Sequence, residues 1–160
     1  LGVDELRRGL LSFEGVEHRL ESAGSVKGVK FVNDSKSTNV DSTIKAVNAF
    51  GEKIYLILGG RDKNLDFCEL FAKMPPRVKK IALIGEAAET IASFAQRKGF
   101  KKYCFCDGLE NAVRTLYAEA SAGDVILLSP ACASFDSYRN FAERGEHFKK
   151  IVEKLKNETY

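Results

Sequence analysis

Short apolar runs alternate along this chain with stretches whose apolar residues fall at helical spacing. Ile54–Leu58, Lys80–Ile84, Tyr103–Cys106 and Val125–Ser129 predict strands. Val40–Phe50, Phe67–Lys73, Ala87–Arg97, Glu110–Ser121 and Phe135–Lys156 predict helices. The strand runs are apolar without polar alternation, as expected of strands covered on both faces in a parallel sheet between helix layers. Ahead of them, His18–Ala23 and Lys30–Asn33, parted by Gly24-Ser25, predict a hairpin. Val3, Leu6, Leu10 and Phe13 follow helical spacing up to Gly15. The expected fold is α/β: a Rossmann-like, doubly wound, mostly parallel sheet with an N-terminal antiparallel hairpin strand. A boundary near Gly15–Val16 would divide residues 1–15, the end of something preceding, from a domain over 16–160.

In a parallel sheet the strand C-termini share one rim, and ligands bind in the loops there. Three such loops carry polar chemistry. Asn33-Asp-Ser-Lys-Ser-Thr-Asn39 follows the hairpin, and Asn39 or Asp41 would cap the helix after it. Gly59-Gly-Arg-Asp-Lys63 follows Ile54–Leu58, its glycines free to turn sharply and its Arg61 and Lys63 cationic. Pro130-Ala-Cys-Ala-Ser134 follows Val125–Ser129, with Ser134 placed to cap a helix starting at Phe135 or to offer its hydroxyl to an anion. Each loop taken alone is by default an ordinary turn or cap. Together Lys36, Thr38, Lys63 and Ser134 describe a pocket for a small anion. The loops at Gly85-Glu86 and Asp107-Gly108 offer little to a ligand.

Composition narrows the function classes. At 160 residues and 17.7 kDa the chain suits one packed domain. Its net charge of +3, from 25 basic and 22 acidic residues, is scattered, which argues against nucleic acid and membrane surfaces as partners. Apolar runs such as Val125–Leu128 are too short to span a bilayer, and Leu1 opens no secretory signal, so a cytoplasmic chain excised from a longer one is expected. Cys68, Cys104, Cys106 and Cys132 form neither a disulfide framework nor a metal site and read as buried free thiols. His18 falls in the hairpin and His147 reads as a solvated helix residue. No Ser–His–Asp or Cys–His set, no Gly-x-x-x-x-Gly-Lys-Ser/Thr phosphate loop and no Gly-x-Gly-x-x-Gly fingerprint is present.

Asn33-Asp-Ser-Lys-Ser-Thr-Asn39, Leu58-Gly-Gly-Arg-Asp-Lys63 and Leu128-Ser-Pro-Ala-Cys-Ala-Ser-Phe-Asp136, with Asn140-Phe141 and Arg144-Gly145, resemble the C-terminal domain of Mur ligases. Within that family they are similar to the members that add D-glutamate to UDP-N-acetylmuramoyl-L-alanine in peptidoglycan synthesis. His18-Arg-Leu-Glu21 resembles the junction with the central ATPase domain, and the likeness spans residues 13–150. The resemblance implies an ATP- and Mg2+-dependent amide-bond-forming ligase, with both cofactors held mainly by the central domain and partners in its own central and N-terminal domains. It implies that Thr38, Lys63, Ser134, Phe135 and Phe141 cradle D-glutamate and that Lys36 lies at the reacting groups. Arg19 and Asp34 would meet the nucleotide, and no residue here would bind metal. Arg61-Asp62 stands where some relatives carry Asp-Gly. Other Mur ligases, folylpolyglutamate synthetase-like ligases and a non-catalytic anion- or nucleotide-binding module are the alternatives.

Overall fold

The computed structural model describes residues 15–159, so the helical pattern expected over Val3–Phe13 lies outside the described residues. In chain order the elements are β1 (Glu21–Val26), β2 (Val29–Asn33), α1 (Val40–Asn48), β3 (Ile54–Gly59) and α2 (Cys68–Ala72). They continue with β4 (Val78–Ile84), α3 (Ala88–Arg97), β5 (Tyr103–Phe105), α4 (Gly108–Tyr117), β6 (Val125–Leu128) and α5 (Phe141–Thr159). The six strands form one sheet in the order β1-β2-β6-β3-β4-β5. β1 runs antiparallel to β2, and every other pairing is parallel. The doubly wound sheet with an antiparallel hairpin strand is therefore as the hydrophobic pattern predicts.

The two faces of the sheet bury different side chains because successive strand residues point opposite ways. Ile54, Leu56 and Leu58 of β3, with Val125 and Leu127 of β6, face α1, α2 and α3 through Val47, Leu70 and Ile91. Tyr55, Ile57, Ile126 and Leu128 face the other way, onto Leu116 of α4 and Phe148 and Val152 of α5. Every residue of β3 and β6 is buried, and each Leu or Ile taken fully out of water contributes roughly 1.5–3 kcal/mol. The connections through α1, α2 and α3 lie on one face and the return through α4 on the other, and this places β6 between β2 and β3.

Two local expectations are corrected. The hairpin turns at Lys27-Gly28, both with positive φ, rather than at Gly24-Ser25; Gly24 instead sits at an irregularity in the β1–β2 register. α5 starts at Phe141 and not at Phe135. The intervening Phe135-Asp-Ser-Tyr-Arg-Asn140 stays in turns because its side chains are engaged elsewhere. Asp136 accepts the Glu86 amide, the Tyr138 hydroxyl lies 2.7 Å from Nδ1 of His147, and Asn140 Oδ1 accepts the Glu143 amide as the real cap. His147 is thus half-buried against Tyr138 and not simply solvated.

Candidate functional site

The three polar loops follow β2, β6 and β3, which are neighbours in the sheet, so the topology brings them side by side at one rim. They are also bonded to one another. Asp34 N–H donates to the Leu128 carbonyl at 2.8 Å, Gly59 N–H to Pro130 at 2.9 Å and Arg61 N–H to Ala133 at 2.8 Å. These bonds carry the β2–β6 and β3–β6 ladders out past the strand ends.

The first loop packs polar groups inward. Asp34 is buried, and its Oδ2 accepts hydrogen bonds from Ser37 Oγ (2.5 Å) and Ser129 Oγ (2.7 Å) while Oδ1 accepts from Leu20 N–H (3.2 Å). Burial pushes its carboxyl above the ordinary range, against those hydrogen bonds. Arg19 is exposed and lines, with Asp34, Ser37 and Lys45, a cleft of about 140 Å3. Asn39 caps α1, its Oδ1 accepting Ser42 N–H at 2.9 Å. Lys36 is half-buried, its amide held by the His18 carbonyl (3.0 Å) and its Nζ 5.9 Å from the Phe141 ring centre. Thr38 is half-buried on the same loop.

On the other two loops Lys63 is exposed, with Nζ 5.7 Å from the ring centre of Phe135. Phe135 itself is 59% exposed, an aromatic ring left in water beside the Lys63 ammonium. Ser134 is 1% exposed, and its Oγ has no hydrogen-bond partner among the described residues. Because α5 begins only at Phe141, Ser134 does not cap it; its carbonyl instead accepts from Ser137 and Tyr138 N–H. Two lysine–aromatic pairs and a buried hydroxyl with no partner among the described residues thus come from the three loops and the start of α5. That arrangement suits an anion carrying an aliphatic segment.

Four residues that hold this rim together were not picked out as site residues from the sequence. Arg144 is 1% exposed: its Nε donates to Ser35 Oγ (2.9 Å) and its Nη2 to the carbonyls of Ser35 (2.9 Å) and Cys132 (3.0 Å). It ties the first loop to the third, and burial lowers its guanidinium to about 10. Gly60 touches the same group: with φ +145, a Cβ there would run into the Ala133 carbonyl and crowd Nη1 of Arg144. Buried His18 has Nδ1 2.9 Å from Asn33 Nδ2, and its ring meets Phe141 edge-on at 6.0 Å. Ser129 supplies the bond to Asp34. For Arg144 a signal existed, since it falls in the apolar stripe Phe141, Phe148, Ile151, Val152, Leu155 where a solvated residue would not.

The thiols stand apart from this chemistry. Cys132 is fully buried and its pKa is pushed up to about 12 by desolvation, which keeps it protonated at neutral pH. Cys68, Cys104 and Cys106 are half-buried rather than buried; the Sγ atoms of Cys104 and Cys106 lie 3.9 Å apart, with Cys106 raised to about 11. Among the described residues no helix is long and apolar enough to cross a membrane.

Residues 18–132 match the family described as the Mur ligase, glutamate ligase domain. The chain is similar to UDP-N-acetylmuramoylalanine–D-glutamate ligase of Natranaerobius thermophilus, 47% identical over 159 residues, covering 99% of this chain and 34% of that protein. The enzyme of the same name from Pelotomaculum thermopropionicum is 46% identical over 147 residues, covering 92% and 32%. The chain thus spans about a third of the length of these curated relatives. In fold it is similar to UDP-N-acetylmuramate–alanine ligase of Thermotoga maritima, with a TM-score of 0.64 at 16% identity, covering 96% of this chain and 35% of that one. It is likewise similar to Mycobacterium tuberculosis folylpolyglutamate synthase complexed with ADP and AMPPCP, with a TM-score of 0.65 at 13% identity, covering 92% and 35%.

Proposed function

This chain belongs to the Mur ligase glutamate ligase domain family, and from that premise we propose that it is the amino-acid-acceptor domain of an ATP-dependent ligase joining D-glutamate to UDP-N-acetylmuramoyl-L-alanine. The domain would span residues 16–160, with residues 1–15 closing the preceding central domain. It would work in the cytoplasm beside the enzyme's central and N-terminal domains. The observation that carries the reading is the pairing of Lys36 with Phe141 and of Lys63 with Phe135 at the rim that also bears Ser134, whose buried hydroxyl has no partner among the described residues.

In the reaction, ATP transfers its γ-phosphoryl group to the carboxylate of the precursor. The amine of D-glutamate attacks the acyl phosphate, the new C–N bond forms as the C–O bond to phosphate breaks, and ADP and phosphate leave. D-glutamate brings two carboxylates and a short aliphatic chain. Lys63 would pair with one carboxylate, Ser134 would turn about χ1 to donate its hydroxyl, and Phe135, Phe141 and Thr38 would line the remainder. Lys36 would steady the charge at the reacting acyl group, and Arg19 beside Asp34 would meet the nucleotide. Mg2+ would supply charge neutralisation at the phosphates. Asp34 does not fit as its ligand, because both carboxylate oxygens already accept hydrogen bonds from Leu20, Ser37 and Ser129.

The test is the acceptor spectrum of the full-length enzyme. With ATP and UDP-N-acetylmuramoyl-L-alanine, phosphate release is expected with D-glutamate and not with L-glutamate, L-alanine or L-lysine. Preference for another amino acid would move the chain to a sister ligase, and use of L-glutamate on a folate would move it to the folylpolyglutamate synthases.

A further inference from the structure

Arg61-Asp62 is the part of the second loop that departs from the Mur pattern, and the roles assigned above leave it unused. Asp62 is half-buried and both of its carboxylate oxygens are engaged. Oδ1 accepts the Asn64 amide at 2.8 Å, closing a turn around Lys63, and Oδ2 accepts the Thr90 hydroxyl at 2.8 Å from the first turn of α3. Asn64 stands at φ +55, in the left-handed region that Asn tolerates better than most residues. A second clip holds the loop to the start of α3, where Ala87 N–H donates to the Gly60 carbonyl at 3.0 Å. Lys63 thus projects from a turn fixed to α3 on one side and to the third loop, through Arg61 N–H and the Ala133 carbonyl, on the other.

We propose that Asp62, anchored by Thr90, is the positioning residue that aims Lys63 over Phe135 and so sets affinity for the acceptor amino acid. The proposal rests on the acceptor-domain reading. A carboxylate next to Lys63 would ordinarily compete with an incoming dicarboxylate for its ammonium. Here the Asn64 amide and the Thr90 hydroxyl occupy that carboxylate, and Lys63 Nζ lies over the aromatic ring 5.7 Å from its centre. Fixing the turn before the ligand arrives removes part of the ordering cost that a lysine on a loose loop would meet on binding.

The test uses the full-length ligase and the variants Thr90→Val, Thr90→Ser and Lys63→Ala. Thr90→Val keeps shape and removes the hydroxyl. It is expected to raise the KM for D-glutamate about three- to tenfold, the worth of one hydrogen bond, with kcat and the KM for ATP unchanged. Thr90→Ser, which keeps the hydroxyl, should restore the parent KM. In a Lys63→Ala background Thr90→Val should add nothing, because it acts only through that lysine. An unchanged KM in Thr90→Val, or an equal effect with and without Lys63, overturns the positioning role while leaving the acceptor-domain reading intact. A Lys63→Ala enzyme with normal D-glutamate use would overturn both together.

Discussion

At Ser134 the hydroxyl is out of solvent and without a partner among the described residues, and a buried polar group left unpaired costs stability. Ser134→Ala is therefore expected to leave the unliganded protein as stable as before, or up to about 1 kcal/mol more stable, where loss of a true cap would cost about that much. In the full-length ligase the same change should raise the KM for D-glutamate about tenfold. Melting curves and acceptor titrations decide it: destabilisation with an unchanged KM would return Ser134 to a structural role. Lys36, Lys63 and Ser134 were legible because polar residues at the ends of apolar strands stand out in one dimension. Their supports were not. Thr90 and Ser129 reach their partners from 28 and 95 residues away in sequence, and hydroxyls look alike until the fold brings them together.

α5 shows how an element can be read correctly and bounded wrongly. Its stripe of Phe148, Ile151, Val152 and Leu155 packs against the sheet as its periodicity demands. The stretch before it contains Ser, Asp, Tyr and Asn, whose side chains bond the neighbouring loop and α5 itself, and tertiary bonds of that kind override propensity. Arg144 occupies the first turn of the stripe with its charge buried. Arg144→Ala would leave Ser35 Oγ and the carbonyls of Ser35 and Cys132 without their donor and open a cavity beside them. A cost of about 3 kcal/mol is expected, or roughly 6–12 °C in melting temperature for a chain of this size. A fall of under about 2 °C would show that the first and third loops do not depend on this guanidinium.

For the molecule as a whole, the α/β architecture was legible because strands sandwiched between helix layers must be apolar throughout, and β3 and β6 are. The strand order was not. Apolar runs identify strands but not their neighbours, and the place of β6 between β2 and β3 comes from the direction in which each helix crosses the sheet. That insertion is what brings the loops bearing Lys36, Ser134 and Lys63 to adjacent strands. The sequence of this chain has no phosphate loop of the Gly-x-x-x-x-Gly-Lys-Ser/Thr kind, and γ-phosphoryl transfer depends on such charge stabilisation. The chain alone is accordingly expected to release no phosphate from ATP above a buffer blank, and measurable release would contradict its reading as the acceptor part of a ligase.

The segment from Val16 to Leu20 enters the sheet by way of the pocket. The His18 carbonyl holds the amide of Lys36, the Leu20 amide holds Asp34, and the His18 ring rests on Phe141. Gly145 leaves room for that ring, since a Cβ there would strike it. In any longer protein that contains this chain, the segment would serve as a lever arm: a rotation transmitted through His18 and Leu20 would be passed to Lys36, Asp34 and Phe141, the residues these two contact.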